Sequence, residues 1–373
     1  MRKIRRLLQK NCCIMVLCSI LGFFAASFAT NYTITVNAGV KKGAWNRFYE
    51  KSVATCHVYT VLRSAYGRSI QGALKRGHDE AGFQYFRGHN IFGSDVGIYK
   101  EVGGALTPNW SRCDSIYDAA KAAGMRPILE LSYTPYQLAS GTQSFGWYNG
   151  ASGNTTVPSD FNKWRDIIKL LVQHLEQRYG VDEVRTWLFE VYNEPDLFLA
   201  GTDADYYRIY DFAAEGVKLA DSLCKIGGSA MSRGSQRPVK IGVFIDHVLR
   251  GTNAAIGKVG TKCDFISYHR YADDIDYGGR ICTPASMNNY HKAIVDVAKN
   301  KGFGGFIINT EWGPTYSSGS TRDNETDASF VAKTIQLLQD NGAAYPPPTM
   351  YSYWTYVESS VMCSMTATIL KNA

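Results

Sequence analysis

The sequence predicts an α/β fold, a closed (β/α)8 TIM barrel, and three observations point there. Eight short, β-rich apolar runs alternate with longer segments of helical period. Two of the runs, Pro127-Ile128-Leu129-Glu130-Leu131 and Gly305-Phe306-Ile307-Ile308-Asn309, are nearly continuously apolar, as strands buried on both faces are. The alternative is an open doubly wound sheet, and its phosphate fingerprint is missing. The Gly cluster Gly302-Phe303-Gly304-Gly305 precedes a strand instead of following one.

Taken in chain order, the first strand is read at 53–61 and is followed by a helix at 69–81. The second strand (83–88) precedes a helix at 111–123, and the third (126–132) precedes a helix at 160–179. Between the third strand and its helix, residues 139–158 are rich in Gly, Ser, Thr and Asn and read as a long loop on the face where barrel active sites form. Lys163-Trp164-Arg165-Asp166-Ile167-Ile168-Lys169-Leu170-Leu171 carries the 3.6-residue period of a helix. The fourth strand (186–192) leads to a helix at 204–223. The fifth strand is read at 239–245, with a helix at about 247–258, and the sixth at 264–269, with a helix at 285–300. The seventh strand (305–310) leads to a helix at 326–341, where Phe330, Val331, Ile335, Leu337 and Leu338 repeat with helical spacing; the eighth strand is 349–355. Gly82, Gly124 and Gly302 sit where left-handed C-caps fit.

The 373 residues are 45% apolar and 20% charged, an ordinary globular balance that excludes a disordered tail, a collagen-like rod and a polytopic membrane protein. The net charge of +7 is concentrated at the start: residues 1–29 hold Arg2, Lys3, Arg5, Arg6 and Lys10 and no acid. Without them, 35 basic residues face 33 acidic ones, and no global argument for a nucleic-acid partner or an anionic membrane survives. That stretch has a cationic start, an apolar run over 12–26 and Ser27-Phe28-Ala29, the layout of a cleaved signal peptide and so of a secreted or periplasmic chain. The expected organisation is a signal peptide at 1–29, an N-terminal extension at 30–47, a catalytic barrel at 48–356 and a short tail at 357–373. Three of the nine cysteines (Cys12, Cys13, Cys18) leave with the signal. Cys56, Cys113, Cys224, Cys263, Cys282 and Cys363 remain, and some could pair in an exported chain. Neither CxxC nor HExxH occurs, so no metal site and no cofactor is expected. Asn31, Asn109, Asn154 and Asn324 begin glycosylation sequons.

Two glutamates stand out by position. Glu194, in Tyr192-Asn193-Glu194-Pro195, ends the fourth strand, and Glu311, in Thr310-Glu311-Trp312, ends the seventh. In a barrel both face one mouth. Two carboxylates across a cleft are what glycosidic cleavage needs: one protonates the leaving oxygen, the other attacks the sugar carbon or activates water. A lone strand-end glutamate is more often a solvated rim acid; the neighbouring Asn193, able to hydrogen-bond a sugar hydroxyl, shifts that balance. Glu190 shares a face with Glu194 by the period of 2, and as a barrel-core acid it needs a cation such as Arg87. Glu130, inside a strand, is likewise read as structural. Tyr133, Tyr136, Phe145, Trp147 and Tyr148 crowd the third loop as sugar-stacking or core residues.

These motifs resemble clan A glycoside hydrolases and, more finely, glycoside hydrolase family thirty-nine, which holds β-xylosidases and α-L-iduronidases. The resemblance runs over about 45–356 and rests on Arg87-Gly88-His89-Asn90, Pro127–Ser132, Asn193-Glu194-Pro195-Asp196, Ser267-Tyr268-His269-Arg270-Tyr271, Thr310-Glu311-Trp312 and Tyr353-Trp354-Thr355-Tyr356. It implies a retaining double displacement with Glu194 as acid/base and Glu311 as nucleophile. It further implies that Asn193 holds the 2-hydroxyl and that His89 and His269 line the reacting sugar's subsite. Tyr271 would orient Glu311, and Trp354 would form an apolar platform. The family's pattern is broken at Gly88, at Tyr192 where a Trp is usual, and after the eighth strand. There the family continues into an eighth helix and a β-sandwich, while 17 residues follow Tyr356, with Glu358 a candidate substrate-binding acid. The expectation is a sandwich missing or vestigial, with 30–47 as its remnant. Iduronidases carry a Lys where this chain has Tyr271, so a neutral β-glycoside is preferred to a uronide; a xyloside on an oligo- or polysaccharide is the best reading, with a glucoside, galactoside or arabinoside as alternatives. The rival reading is a non-catalytic carbohydrate-binding protein on a truncated barrel.

Overall fold

The computed structural model describes residues 39, 44–65, 68–146, 152–232, 237–272, 283–315 and 324–356. The signal-like stretch 1–29, nearly all of the extension 30–47 up to residue 43, the tail 357–373 with Glu358, and Trp147, Tyr148, Cys282, Cys363 and Asn31 lie outside the described residues. The chain divides into two compact units, Met1–Trp45 and Asn46–Ala373, and the barrel is in the second.

Eight parallel strands close a barrel: β1 (Ser52–His57), β2 (Tyr85–His89), β3 (Arg126–Leu131), β4 (Leu188–Val191), β5 (Lys225–Met231), β6 (Phe265–Tyr271), β7 (Phe306–Gly313) and β8 (Tyr351–Tyr353). Each pairs with its sequence neighbours, and β8 returns to β1 through Val53 and Tyr353. The helices between them are α1 (Ile70–Ala81), α2 (Ser111–Ala122), α3 (Phe161–Tyr179), α4 (Asp203–Ala220), α5 (Arg237–Arg250), α6 (Pro284–Lys301) and α7 (Glu325–Asp340).

Local chemistry starts and stops these helices. Ser69, Asp160, Thr202, Thr283 and Asn324 each accept backbone N–H bonds at an N-cap, and Thr202 with Asp205 closes a capping box. Gly82, Gly124 and Gly302 have φ of 78°, 79° and 77°, the left-handed conformation expected for them. Among the described residues no helix is long and apolar enough to cross a membrane.

The fifth unit differs from the sequence expectation. Residues 239–245 are not a strand but lie inside α5, and the helix expected at 247–258 ends at Arg250. Val-Lys-Ile-Gly-Val-Phe-Ile is strand-like in composition, yet Ile241, Phe244, Ile245 and Val248 are buried while Val239 and Val243 are exposed, which is helical spacing. The true strand, Lys-Ile-Gly-Gly-Ser-Ala-Met, is obscured by two glycines. A Cβ on Gly227 would collide with the carbonyl oxygen and ring of Phe265, so close β5–β6 packing demands the residue that strand propensity disfavours. The loop at 139–158 also carries a short hairpin, Ser144–Gly146 against Ser152–Asn154.

Inward positions along the strands form successive layers. Ile128, Leu188, Phe265, Ile308 and Met350 make an apolar floor. One period above it lie Glu130 and Glu190, in register with each other, and above those the strand ends open on the mouth. Of the described cysteines of the barrel, Cys113, Cys224 and Cys263 are free thiols, so these three do not carry the pairing that export would allow. Asn154 is buried with its amide bonded to Gly141 and Thr156, which leaves that sequon no room for a glycan.

Gly227→Ala is expected to lower stability by about 1–3 kcal/mol in urea unfolding, through overpacking against β6. Gly304→Ala, where a Cβ would meet nothing within 4 Å, should stay within about 0.5 kcal/mol.

Candidate active site

The expected site residues converge. Glu194, Glu311, His89, Asn193, His269, Tyr271 and Trp354 are all buried and all lie at the C-terminal ends of β2, β4, β6, β7 and β8.

The backbone at this rim is strained. Among the described residues, the non-glycine ones with positive φ are Cys56, Asn90, Tyr192, Glu194 and Ala230, each at or close to a strand's C-terminal end. Such conformations cost on the order of 1–3 kcal/mol each and collect at functional sites. Glu194, at φ 44°, is held there from both sides. Its N–H donates to the Ala230 carbonyl at 3.1 Å, and its own carbonyl accepts from Leu197 and Phe198, the short helix that Pro195 begins. On β7 an extra residue sits opposite the Tyr268–His269 step of β6, a bulge that turns the Thr310 and Glu311 side chains both inward.

Beneath the mouth lies the fully buried Arg87. Its Nε is 2.5 Å from Glu190 Oε2, Nη2 is 2.7 Å from Glu130 Oε2 and 3.0 Å from Asn193 Oδ1, and Nη1 is 2.8 Å from Glu311 Oε1. Burial alone would lower the pKa of the guanidinium, but the three carboxylates outweigh this and raise it above its ordinary value. Because Arg87 donates to Asn193 Oδ1, the amide's other end must be the donor, and Nδ2 donates to the Tyr133 hydroxyl at 3.2 Å.

The two glutamates occupy different surroundings. Glu311 accepts from the Tyr271 hydroxyl at 2.5 Å and has His89 Nε2 at 3.3 Å from Oε1. Burial raises its pKa above the ordinary glutamate value, opposed by Arg87, His89 and the Tyr271 hydrogen bond. Glu194 Oε1 lies 2.9 Å from His269 Nδ1, which is also 3.5 Å from Glu311 Oε2. One oxygen of each glutamate and a nitrogen of His269 all fall within 4.8 Å of one another. His89 Nδ1 donates to Glu130 Oε2 at 2.6 Å, and its ring faces Trp354 at 4.8 Å between centroids. Trp354 shares a small apolar cluster with Tyr271, Ala54 and Cys56.

Glu190 meets Arg87, the cation its position called for. Three further roles were not read from the sequence. Arg87 reaches the Glu311 carboxylate as well as Glu190, Glu130 partners His89, and Thr310 bonds both Glu190 and His269. A signal for the first two existed, since interior strand acids at the period of 2 require a cation between them. Tyr133 is buried beneath Asn193, Tyr136 is exposed, and the side chain of Phe145, like Trp147 and Tyr148, is outside the described residues. Two groups offer three ligand atoms at metal-binding spacing: Glu194–His269–Glu311 and, outside the barrel, Glu176–Asp221–Cys224. In the first the adjacent Arg87 charge opposes a cation, and in the second Arg185 Nε, 2.6 Å from Asp221, does the same.

The family model for glycosyl hydrolases family 39 matches residues 32–368. A β-xylosidase of Caldicellulosiruptor saccharolyticus is 33% identical over 343 residues, covering 90% of this chain and 65% of that protein. A human α-L-iduronidase is 32% identical over 178 residues, 45% of this chain and 25% of that protein. The crystal structure of a monomeric β-xylosidase from Caulobacter crescentus CB15 superposes with a TM-score of 0.70 at 30% identity, covering 83% of this chain and 60% of that one. The chain thus spans 65% of the length of the Caldicellulosiruptor β-xylosidase and 60% of the Caulobacter one, less than two thirds of either.

Tyr271→Phe removes a donor that favours ionised Glu311, so its carboxyl should titrate at higher pH than in the parent protein. Carboxyl 13C NMR of glutamate-labelled protein checks this, and an unchanged or lowered midpoint contradicts it.

Proposed function

We propose that this chain, which belongs to glycosyl hydrolase family 39, is a retaining glycosidase that cleaves O-glycosidic bonds through Glu194 and Glu311. One observation carries the reading: carboxylate oxygens of the two residues lie within 4.8 Å. Retaining enzymes hold their carboxyl groups about 5–5.5 Å apart, whereas inverting enzymes leave about 6.5–9.5 Å for a water.

In the first step Glu194, as an acid, protonates the glycosidic oxygen, which leaves with the electron pair of its bond to the sugar. Glu311 forms the new bond to that carbon. In the second step Glu194 takes a proton from water as the water oxygen displaces Glu311. Arg87 and Tyr271 hold Glu311 as the carboxylate that attack requires. The Asn193 amide, turned by Arg87, gives one NH2 hydrogen to Tyr133 and has the other to offer the 2-hydroxyl. Trp354 supplies an apolar face, and His89 and His269 complete the subsite.

The substrate we propose is a β-xyloside in an oligosaccharide. The Caldicellulosiruptor saccharolyticus β-xylosidase aligns over 90% of the chain, the human α-L-iduronidase over less than half. Tyr271 points its hydroxyl at Glu311 and offers no cation for a uronic carboxylate, and Arg270 is turned into the helical layer against the Tyr290 ring at 4.9 Å. The pattern at 1–29 supports export to a secreted or periplasmic location.

Glu311→Gly should abolish turnover of an aryl β-xyloside, and azide should restore it as the glycosyl azide of inverted configuration. Glu194→Ala should lose about 10²–10⁴-fold on a substrate with a poor leaving group, with azide giving the retained configuration. Undiminished activity in the Glu311 variant would sink the assignment.

A further inference from the structure

We propose that Thr310 and Glu190 are positioning residues that fix the tautomer of His269 and thereby keep the reaction's proton on Glu194. This rests on the reading of Glu194 as the acid/base. A chain of hydrogen bonds runs from Arg87 through Glu190 and Thr310 to His269. Glu190 Oε2 is 2.5 Å from Arg87 Nε, so Glu190 is an ion-paired carboxylate and can only accept. Thr310 Oγ1 lies 2.9 Å from Glu190 Oε1 and gives its single hydrogen to it. Toward His269 Nε2, 3.1 Å away, the same oxygen is then only an acceptor, so the ring hydrogen resides on Nε2. A neutral imidazole protonated at Nε2 carries its lone pair on Nδ1. Nδ1 lies 2.9 Å from Glu194 Oε1; with the ring neutral, the hydrogen in that contact is the carboxyl group's.

Glu190, Thr310 and His269 are all fully buried, so water does not compete for these bonds. The β7 bulge is what makes the relay possible, because it lets Thr310 face His269 while Glu311 still faces Arg87. Among the described residues, the charged and titratable groups around the Glu194–His269 pair include Glu311 from β7, with Oε2 3.5 Å from Nδ1, Glu190 from β4 behind Thr310, Arg87 and His89 from β2 on the far side of Glu311, Glu130 from β3 behind His89, Tyr133 just beyond β3, and Tyr271 from β6.

The relay serves both halves of the reaction. In the first, the Glu194 O–H breaks and its proton goes to the glycosidic oxygen, which departs with the C–O electron pair while Glu311 bonds to the sugar. Ionised Glu194 then faces the Nδ1 lone pair, an arrangement that favours regaining a proton. The attacking water supplies it as the bond from Glu311 to the sugar breaks.

The test compares Thr310→Val and Thr310→Ser over a series of aryl and alkyl β-xylosides of rising leaving-group pKa. Without the hydroxyl, the ring hydrogen can sit on Nδ1 and donate to ionised Glu194, which favours its charged form. The acid is then lost at lower pH. The valine variant should lose about tenfold or more on poor leaving groups and little on dinitrophenolate, and the basic limb of its kcat/KM profile should move to lower pH. The serine variant should restore both. Equal loss on every leaving group with an unmoved basic limb would overturn the proposal. Imidazole 15N NMR of the histidine-labelled parent protein reads the tautomer directly and needs no variant to fold. A hydrogen on Nε2 with an unprotonated Nδ1 is expected, and a protonated Nδ1 overturns the relay. Glu194→Ala serves as a control: loss that ignores leaving group would refute the acid/base reading, while the NMR result still decides the tautomer.

Discussion

The buried guanidinium of Arg87 is the constraint on which the site depends. It joins four strands through three carboxylates and one amide: Glu130 on β3, Glu190 on β4, Asn193 just beyond β4 and Glu311 on β7. Isolated, such a charge in a barrel core would be prohibitive, and removing one partner of a buried pair costs about 3–5 kcal/mol. With every face of the fork engaged, the same charge orients the Glu311 carboxylate, turns the Asn193 amide, and anchors the acids behind His89 and Thr310. A lysine could not replace it, because a point charge lacks the planar set of donors that these partners share.

Around this hub the barrel divides its labour by height. The apolar floor of Ile128, Leu188, Phe265, Ile308 and Met350 supplies packing. The ionic layer above it converts that rigidity into fixed side-chain directions. The rim carries the strain: five non-glycine residues with positive φ and a bulge on β7 re-aim side chains that regular strands would send elsewhere. Closed parallel pairing below the rim is what allows these departures to persist.

Much of this was legible in the sequence, for physical reasons. Helices announced themselves through caps and apolar spacing, and the three glycines expected to end helices do so in the left-handed conformation. The seven expected site residues meet at one mouth because strand-end positions in a barrel must. The fifth strand was illegible because Gly227 and Gly228 serve a close approach to β6 that only the fold reveals, while the β-branched start of α5 imitates a strand. Thr310 was illegible because a bulge reverses the inward–outward alternation on which strand reading relies. Arg87 was read as one partner of Glu190, and its reach to Glu311 required the register of β2 against strands distant in sequence.

In the proposed double displacement Glu311 becomes covalently bonded to the sugar while Glu194 manages the proton. Incubation with a 2-fluoro-β-xyloside bearing a good leaving group, followed by peptide mass spectrometry, tests it most directly. One added fluoroxylosyl unit on the peptide containing Glu311, formed as activity is lost, is the expected outcome. Label on a different residue, or hydrolysis with inversion and no trapped species, would contradict it.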